Sequence, residues 1–110
     1  MSLNLTKKIF LFNLLIILFN SCAYFNTFYN ANQYYEEANK IRLEKDGQAV
    51  PITAMDKYGK AISKCKKVLK EFPQSKFRSD AILLMAKAQF FRSDYDLALE
   101  NLREITKIGS

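Results

Sequence analysis

The chain has 110 residues, 17 Lys and Arg against 11 Asp and Glu, no His, no Trp and two Cys. That length holds one small domain at most, and the lack of His removes the commonest general base and the commonest metal ligand. Two Cys are too few for a disulfide framework, and a composition that is 49% hydrophobic and 14% aromatic excludes a disordered tail.

Lys7 and Lys8 precede an apolar run from Ile9 to Phe19, broken once by Asn13. A positive start followed by a short apolar stretch is the pattern of a secretory signal. A permanent membrane span needs about 20 apolar residues, so the run alone is short for one. Asn20, Ser21 and Cys22 follow. A small residue directly before Cys at the end of the apolar run resembles the lipobox of bacterial lipoproteins, although Phe19 and Asn20 stand where Leu and a small residue are usual. The resemblance implies cleavage before Cys22, lipid modification of Cys22 and, because Ala23 rather than Asp follows it, residence at the outer membrane on its periplasmic face. A plain signal peptide with a coincidental Cys is the competing reading. Removal of residues 1–21 leaves 89 residues for one core, with 15 of the 17 basic residues against all 11 acidic ones.

Tyr24, Phe28, Ala31 and Tyr35 recur at helical spacing, with Phe25 and Tyr29 on the same broad face and Asn26, Asn30, Asn32 and Gln33 opposite. The pattern predicts a helix through Leu43, with Glu36 and Lys40 placed for an i,i+4 ion pair. Either the rings pack on the next helices or they sit among lipid headgroups, where amphipathic rings are favoured; a helical stripe favours packing. Gly47 and Pro51 lie in a polar stretch that reads as a loop, Gly47 suiting a helix C-terminus. Thr53 is the expected N-cap of the next helix, with Asp56 in its first turn.

That helix is expected from about Ala54 to Phe72. Tyr58, Ala61, Ile62, Cys65, Val68, Leu69 and Phe72 form its apolar stripe, Lys57, Lys60, Lys64 and Lys67 its polar side, and Lys66 and Lys70 flank the stripe's other edge. Pro73 ends it. A third helix fits Phe77 to Phe91, its mixture of Ala81, Ile82, Leu84, Met85, Ala86 and Ala88 permitting close axes. Ser93 and Asp94 turn into a fourth helix from Tyr95 to about Lys107, with Ala98, Leu99, Leu102 and Ile105 on one face.

Tyr58-x-x-Ala61-Ile62 aligns with Tyr95-x-x-Ala98-Leu99, and the match continues through Cys65/Leu102 and Val68/Ile105. Helix pairs repeating at this interval suggest a solenoid, in which a Tyr wedges at the turn and an Ala admits the paired helix. Ala61, Cys65, Val68 and Pro73 in one unit, and Ile82, Met85, Ala86, Tyr95 and Ala98 in the next, resemble the tetratricopeptide repeat (TPR). The linker from Phe72 to Ala81 resembles that of envelope TPR lipoproteins, in particular the outer-membrane assembly (BamD-like) group and periplasmic relatives that act with the Tol–Pal system. The stretch from Cys22 to Ala31 resembles the start of such lipoproteins too. Residues 44–53 are an insertion in the first unit, Cys65 replaces an aromatic, and Ala86 stands where Gly is common. Because stable solenoids need about three repeats and a cap, further repeats or a partner are expected to cover Leu99, Leu102 and Ile105.

No nucleophile–His arrangement is possible, no phosphate loop or Cys-x-x-Cys occurs, and acidic pairs such as Glu36-Glu37 or Asp94/Asp96 read as solvated charge and capping. Cys65 reads as a small buried apolar residue; a disulfide to Cys22 would need an unmodified Cys22. Six Lys within 57–70 form either a solvated face or a surface for anionic lipid or an acidic partner, for which Lys57, Lys60, Lys64 and Lys67 are the candidate contacts. The expected organisation is a signal peptide over 1–21, a lipid-anchored aromatic helix over 22–46, a loop over 47–53 and TPR-like helices over 54–108. The expected fold is all-α, with antiparallel helical hairpins. The expected role is a non-catalytic scaffold that binds envelope proteins, needs no cofactor or metal, and binds neither nucleic acid nor a small-molecule substrate, with Gln89, Arg92 and Asn101 as candidate interface positions. The alternative is a soluble or inner-membrane-anchored periplasmic TPR protein that coordinates envelope or division machinery.

Overall fold

The computed structural model describes residues 4–73 and 75–109, without the side chains of 20, 21, 75, 76, 108 and 109. The residues before the proposed cleavage point, Asn20 and Ser21, and the centre of the Phe72–Ala81 linker therefore lie outside the described side chains. The fold is all-α: α1 (Leu5–Glu44), α2 (Ile52–Glu71), α3 (Ser75–Phe91) and α4 (Tyr95–Gly109), with no strand among the described residues.

The first helix departs furthest from expectation. It runs for 40 residues through the apolar segment, Cys22 and the aromatic segment without a break. Nothing between Ile9 and Glu44 is Gly or Pro, so no residue in the interior interrupts the ladder. At 1.5 Å per residue it is about 60 Å long, which accounts for most of the 69 Å length of the molecule. Its front part touches nothing: the large side chains from Ile9 to Phe19 are 44–75% exposed. Its rear part is core.

Below Cys22 the helices form successive antiparallel hairpins. Tyr24 meets Phe72 and Asn39 meets Tyr58, so α1 and α2 run in opposite directions. Tyr58 stacks on Phe91, and Phe72 and Phe77 share one cluster, so α3 reverses α2. Asn101 bonds Gln89, and Tyr95 packs on Phe90, so α4 reverses α3. Tyr24 against Phe77 and Arg42 against Phe91 make α1 and α3 parallel neighbours, with α2 packed against both. Ala31, Ala38, Ala54, Ala61, Ala81 and Ala88 are buried at these contacts. Small residues at those points bring the axes close enough for Tyr58, Cys65, Val68 and Met85 to fill the gaps.

The connections follow from local chemistry. Beyond Glu44 the chain turns through Gly47 at φ +82, a conformation that costs a side chain about 1–2 kcal/mol. The start of α2 corrects the expected cap. Pro51 at φ −60 occupies the N-cap, and its carbonyl accepts the Met55 N–H at 3.0 Å. Thr53 therefore lies inside the helix and Asp56 beyond its first turn. A residue with a fixed φ and no N–H starts a helix at no cost, because the first N–H groups have no intrahelical partner. Pro73 ends α2 as expected: Phe72 has left helical geometry at φ −130, ψ 70. The α3–α4 turn is a Schellman closure, with Ser93 left-handed at φ 66, the Asp94 N–H on the Gln89 carbonyl and the Ser93 N–H on the Phe90 carbonyl.

Candidate functional site

Three surfaces bear on function. The first is the junction of the apolar and packed parts of α1. Cys22 is exposed, and two residues later Tyr24 is almost fully buried against Phe28, Phe72 and Phe77. Its hydroxyl lies 3.4 Å from the Asp80 carboxylate; burial first, then the negative charge of Asp80, pushes its pKa up to about 12. The aromatic stripe divides here. Tyr24, Phe28, Ala31 and Tyr35 face the core, while Phe25 and Tyr29, expected on the same face, are 63% and 65% exposed and line an open hollow with Asn26 and Asn32.

The second surface is the lysine side of α2. The structure draws Lys57 into the fold: its ammonium is 2.9 Å from the Glu37 carboxylate and 5.5 Å from the Tyr34 ring centre, and its bond to Glu37 raises its pKa. Lys60 lies over the same ring at 5.6 Å. Lys64 borders a shallow polar cleft of about 260 Å³ with Asn30, Gln33, Tyr34 and Glu37. Lys67 is exposed. The expected Glu36–Lys40 pair does not form; the pairing carboxylate is Glu37, and it reaches across to α2.

The third surface is the outer side of α3 and α4. Tyr35, Ala86, Lys87, Phe90, Phe91, Ala98 and Leu102 enclose an apolar groove of about 330 Å³. Of its lining, Phe90 and Leu102 are 54% and 45% exposed, and Tyr95, Leu97 and Leu99 are further exposed apolar residues of α4. The repeat now shows its asymmetry. Tyr58, Ile62, Cys65 and Val68 are buried, whereas their counterparts Tyr95, Leu99 and Leu102 are open and Ile105 is half-buried. Tyr95 therefore does not wedge as Tyr58 does: it rests edge-on against Phe90 at 5.5 Å. The cause is position, because α2 has helices on two sides and α4 on one. Ala61, Ile82, Met85, Ala86 and Ala98 are all buried, while Pro73 is exposed at the end of α2.

Polar residues expected at an interface prove to be internal braces. Gln89 is 4% exposed and accepts the Asn101 amide at 2.7 Å, tying α3 to α4. Arg92 donates to the Met55 carbonyl at 2.6 Å and pairs with Asp94 at 3.5 Å. A Cβ on Gly59 would stand 3.0 Å from that guanidinium, so Gly59 makes room for the Arg92 bond. A second brace, absent from the sequence reading, joins three helices. Tyr58 donates its hydroxyl to the side-chain Oδ1 of Asn39 and accepts from Arg42 Nε at 3.0 Å, and the Arg42 guanidinium lies 3.9 Å from the centre of Phe91. Cys65 is buried among apolar neighbours, and burial pushes its thiol up to about 12. No disulfide joins Cys22 and Cys65.

Comparison with protein-family models, with curated proteins and with solved structures gave no match. Among the described residues, α1 is the one helix long and apolar enough to cross a membrane, with a window of mean hydropathy 1.8. The window exceeds the Ile9–Phe19 run because the helix continues into Ala23, Tyr24 and Phe25.

Proposed function

We propose that the chain is a membrane-tethered, non-catalytic scaffold of the bacterial envelope, built as TPR-type helical hairpins and held at the periplasmic face of the outer membrane by lipid-modified Cys22. Its docking surface is the α3–α4 groove, which receives an apolar helical segment of an envelope protein, such as a component of outer-membrane protein assembly. The supporting observation is the asymmetry of the repeat: residues that α2 buries against two neighbours recur on α4, where Leu99 and Leu102 are about half exposed. Exposed apolar side chains gathered around a groove mark an interaction surface. Cys22 supports the tether, as it is exposed directly before the packed part of α1.

The uninterrupted helix favours a second reading of the tether alone, in which residues 5–21 remain as an inner-membrane anchor. Mass spectrometry of the mature chain from bacterial membranes separates the two. A product beginning at Cys22 with added lipid mass supports the first; an intact Met1 overturns it in favour of the second. For the docking surface, a photo-crosslinker at Leu102 is expected to give discrete adducts that an exposed polar position on α2, Ser63, does not give. The same adduct pattern from both positions would refute the groove.

A further inference from the structure

The continuity of α1 fixes which end of the body meets the membrane. Resting on the proposed membrane tether, and on either form of it, we infer that the α2–α3 end of the bundle is a docking surface for anionic lipid headgroups, carried by Lys66, Lys67, Lys70 and Arg78 with Phe25.

The argument is one of height along a single helix. In both tethering modes the hydrocarbon ends near Phe19 or Cys22. Tyr24 is five residues past Phe19, about 8 Å at 1.5 Å per residue. The polar zone of one leaflet is about 5–7 Å deep, so Tyr24 lies at its outer edge. Phe72 and Phe77, which flank the α2–α3 connection, pack on Tyr24, the first edge-on at 5.8 Å between ring centres and the second stacked at 4.0 Å. That connection cannot stand clear of the headgroups while Tyr24 is in the core. Phe25, one residue further along, projects outward at this level, where aromatic rings are favoured, while Tyr29 stands about 15 Å beyond Phe19, above the polar zone.

Charge agrees with height. Lys66, Lys67 and Lys70 on the last turns of α2 are exposed, and Arg78 on the first turn of α3 is half-exposed. Two acids share this end, Glu71 and Asp80, and Asp80 faces the Tyr24 hydroxyl. The balance is positive. The same geometry discounts half of the lysine side. Lys57 sits opposite Glu37, about 27 Å beyond Phe19, well outside a screening length of about 8–10 Å. The lysines that feel the membrane are those at the end of α2, and Lys57 and Lys60 serve the fold.

The test uses the full chain with Cys22→Ser, reconstituted through residues 5–21 into phosphatidylcholine vesicles with and without phosphatidylglycerol. An environment-sensitive probe is attached at Lys70→Cys or, as the far-end control, at Gln48→Cys; Cys65 is buried and does not compete. Nitroxide-headgroup lipid is expected to quench the probe at 70 several-fold more than the probe at 48. The excess is expected to grow with phosphatidylglycerol and to shrink in high salt or when Lys66, Lys67 and Arg78 are changed to Gln. Equal quenching at the two positions in a vesicle-bound chain overturns the inference and leaves the tether standing. Quenching at 70 that ignores phosphatidylglycerol and salt overturns its anionic part. A chain that remains in the aqueous phase overturns residues 5–21 as an anchor, and with it the height argument made through that part of α1.

Discussion

Replacing Tyr58 by Phe isolates the polar brace from the packing around it. The ring stays, and with it the contacts to Tyr35 at 5.7 Å and Phe91 at 5.4 Å. What is lost is a hydroxyl that accepts from Arg42 and donates to Asn39. A hydrogen bond to a charged group contributes about 1.5–3 kcal/mol. Arg42 keeps its place over Phe91 and is half-exposed, so water replaces part of the loss. The expected cost is about 1–2 kcal/mol, the lower part of that range. A body of this size has a total stability of roughly 4–13 kcal/mol, so the change is large enough to measure and too small to unfold it. With a urea slope of about 1–2 kcal/mol per molar, the midpoint falls by about 1 M.

The assay is urea unfolding of the full chain in detergent micelles, followed by far-ultraviolet circular dichroism and by exposure of the Cys65 thiol. Tyr58→Ala removes the ring as well and is expected to cost about 3–5 kcal/mol, which separates packing from polarity. A cycle with Asn39→Ala is expected to show coupling of about 0.5–1.5 kcal/mol, since the two residues share a bond. If Tyr58→Phe matches the parent within about 0.3 kcal/mol and the cycle is additive, the brace contributes nothing and the reasoning is wrong.

Three further outcomes are expected. Cys65 has its pKa raised from 9.0 to about 12 by burial, so its neutral form contributes stability that is complete below pH 9 and is lost as pH climbs toward 12; Tyr24 adds the same sign between 10 and about 12. Cys65→Ala should therefore flatten the alkaline limb of a stability-against-pH curve, and a native Cys65 that reacts with thiol reagents at pH 8 would contradict the burial. Gly59→Ala trades a helix gain of about 1 kcal/mol against displacement of Arg92 from the Met55 carbonyl, so it should be near neutral or destabilising alone yet stabilising by about 1 kcal/mol once Arg92→Ala has emptied the space; denaturation midpoints of the single and double variants decide. Leu99→Ser with Leu102→Ser should change stability by about 0.5 kcal/mol or less per site, as surface changes do, while abolishing the adducts of a photo-crosslinker moved to Phe90, which lines the same groove; loss of folding instead would mean that this face is already occupied within the chain.

The sequence discloses elements better than it discloses partners. The stripe from Tyr58 to Phe72, the stop at Pro73 and the turn at Ser93-Asp94 depend on neighbours in the chain, and the structure has each of them. At the start of α2, Thr53 is a good cap by chemistry, but Pro51, two residues earlier, has the stronger backbone constraint and takes the N-cap. The continuity of α1 is not announced by the motifs at its centre, since a cleavage signature says nothing of helix, and nothing in the backbone between Phe19 and Tyr24 resists one. The Tyr58–Asn39–Arg42 brace and the Lys57–Glu37 pair join residues 16 to 20 positions apart on different helices. No periodicity within one helix announces them. Gln89 and Asn101 look like interface polars by type, and only their mutual bond reveals that they face each other.

The two proposed surfaces sit at different heights, and this makes them separable. Because α3 runs parallel to α1 with Phe77 level with Tyr24 and Phe91 level with Arg42, Phe90 stands about 27–35 Å beyond Phe19. The groove is thus several screening lengths from the headgroups, and its lining is apolar save for Lys87. Burial of apolar surface is not weakened by moderate salt, whereas attraction between exposed lysines and anionic lipid is. Raising salt should therefore release the α2–α3 end from the membrane without emptying the groove. A continuous α1 also sets how far a proposed partner must reach: a segment that leaves the membrane next to this chain needs about 18–23 helical residues to arrive at Phe90. On the proposed reading, the same helix that supplies the core of the body would thereby specify the height at which a partner is held.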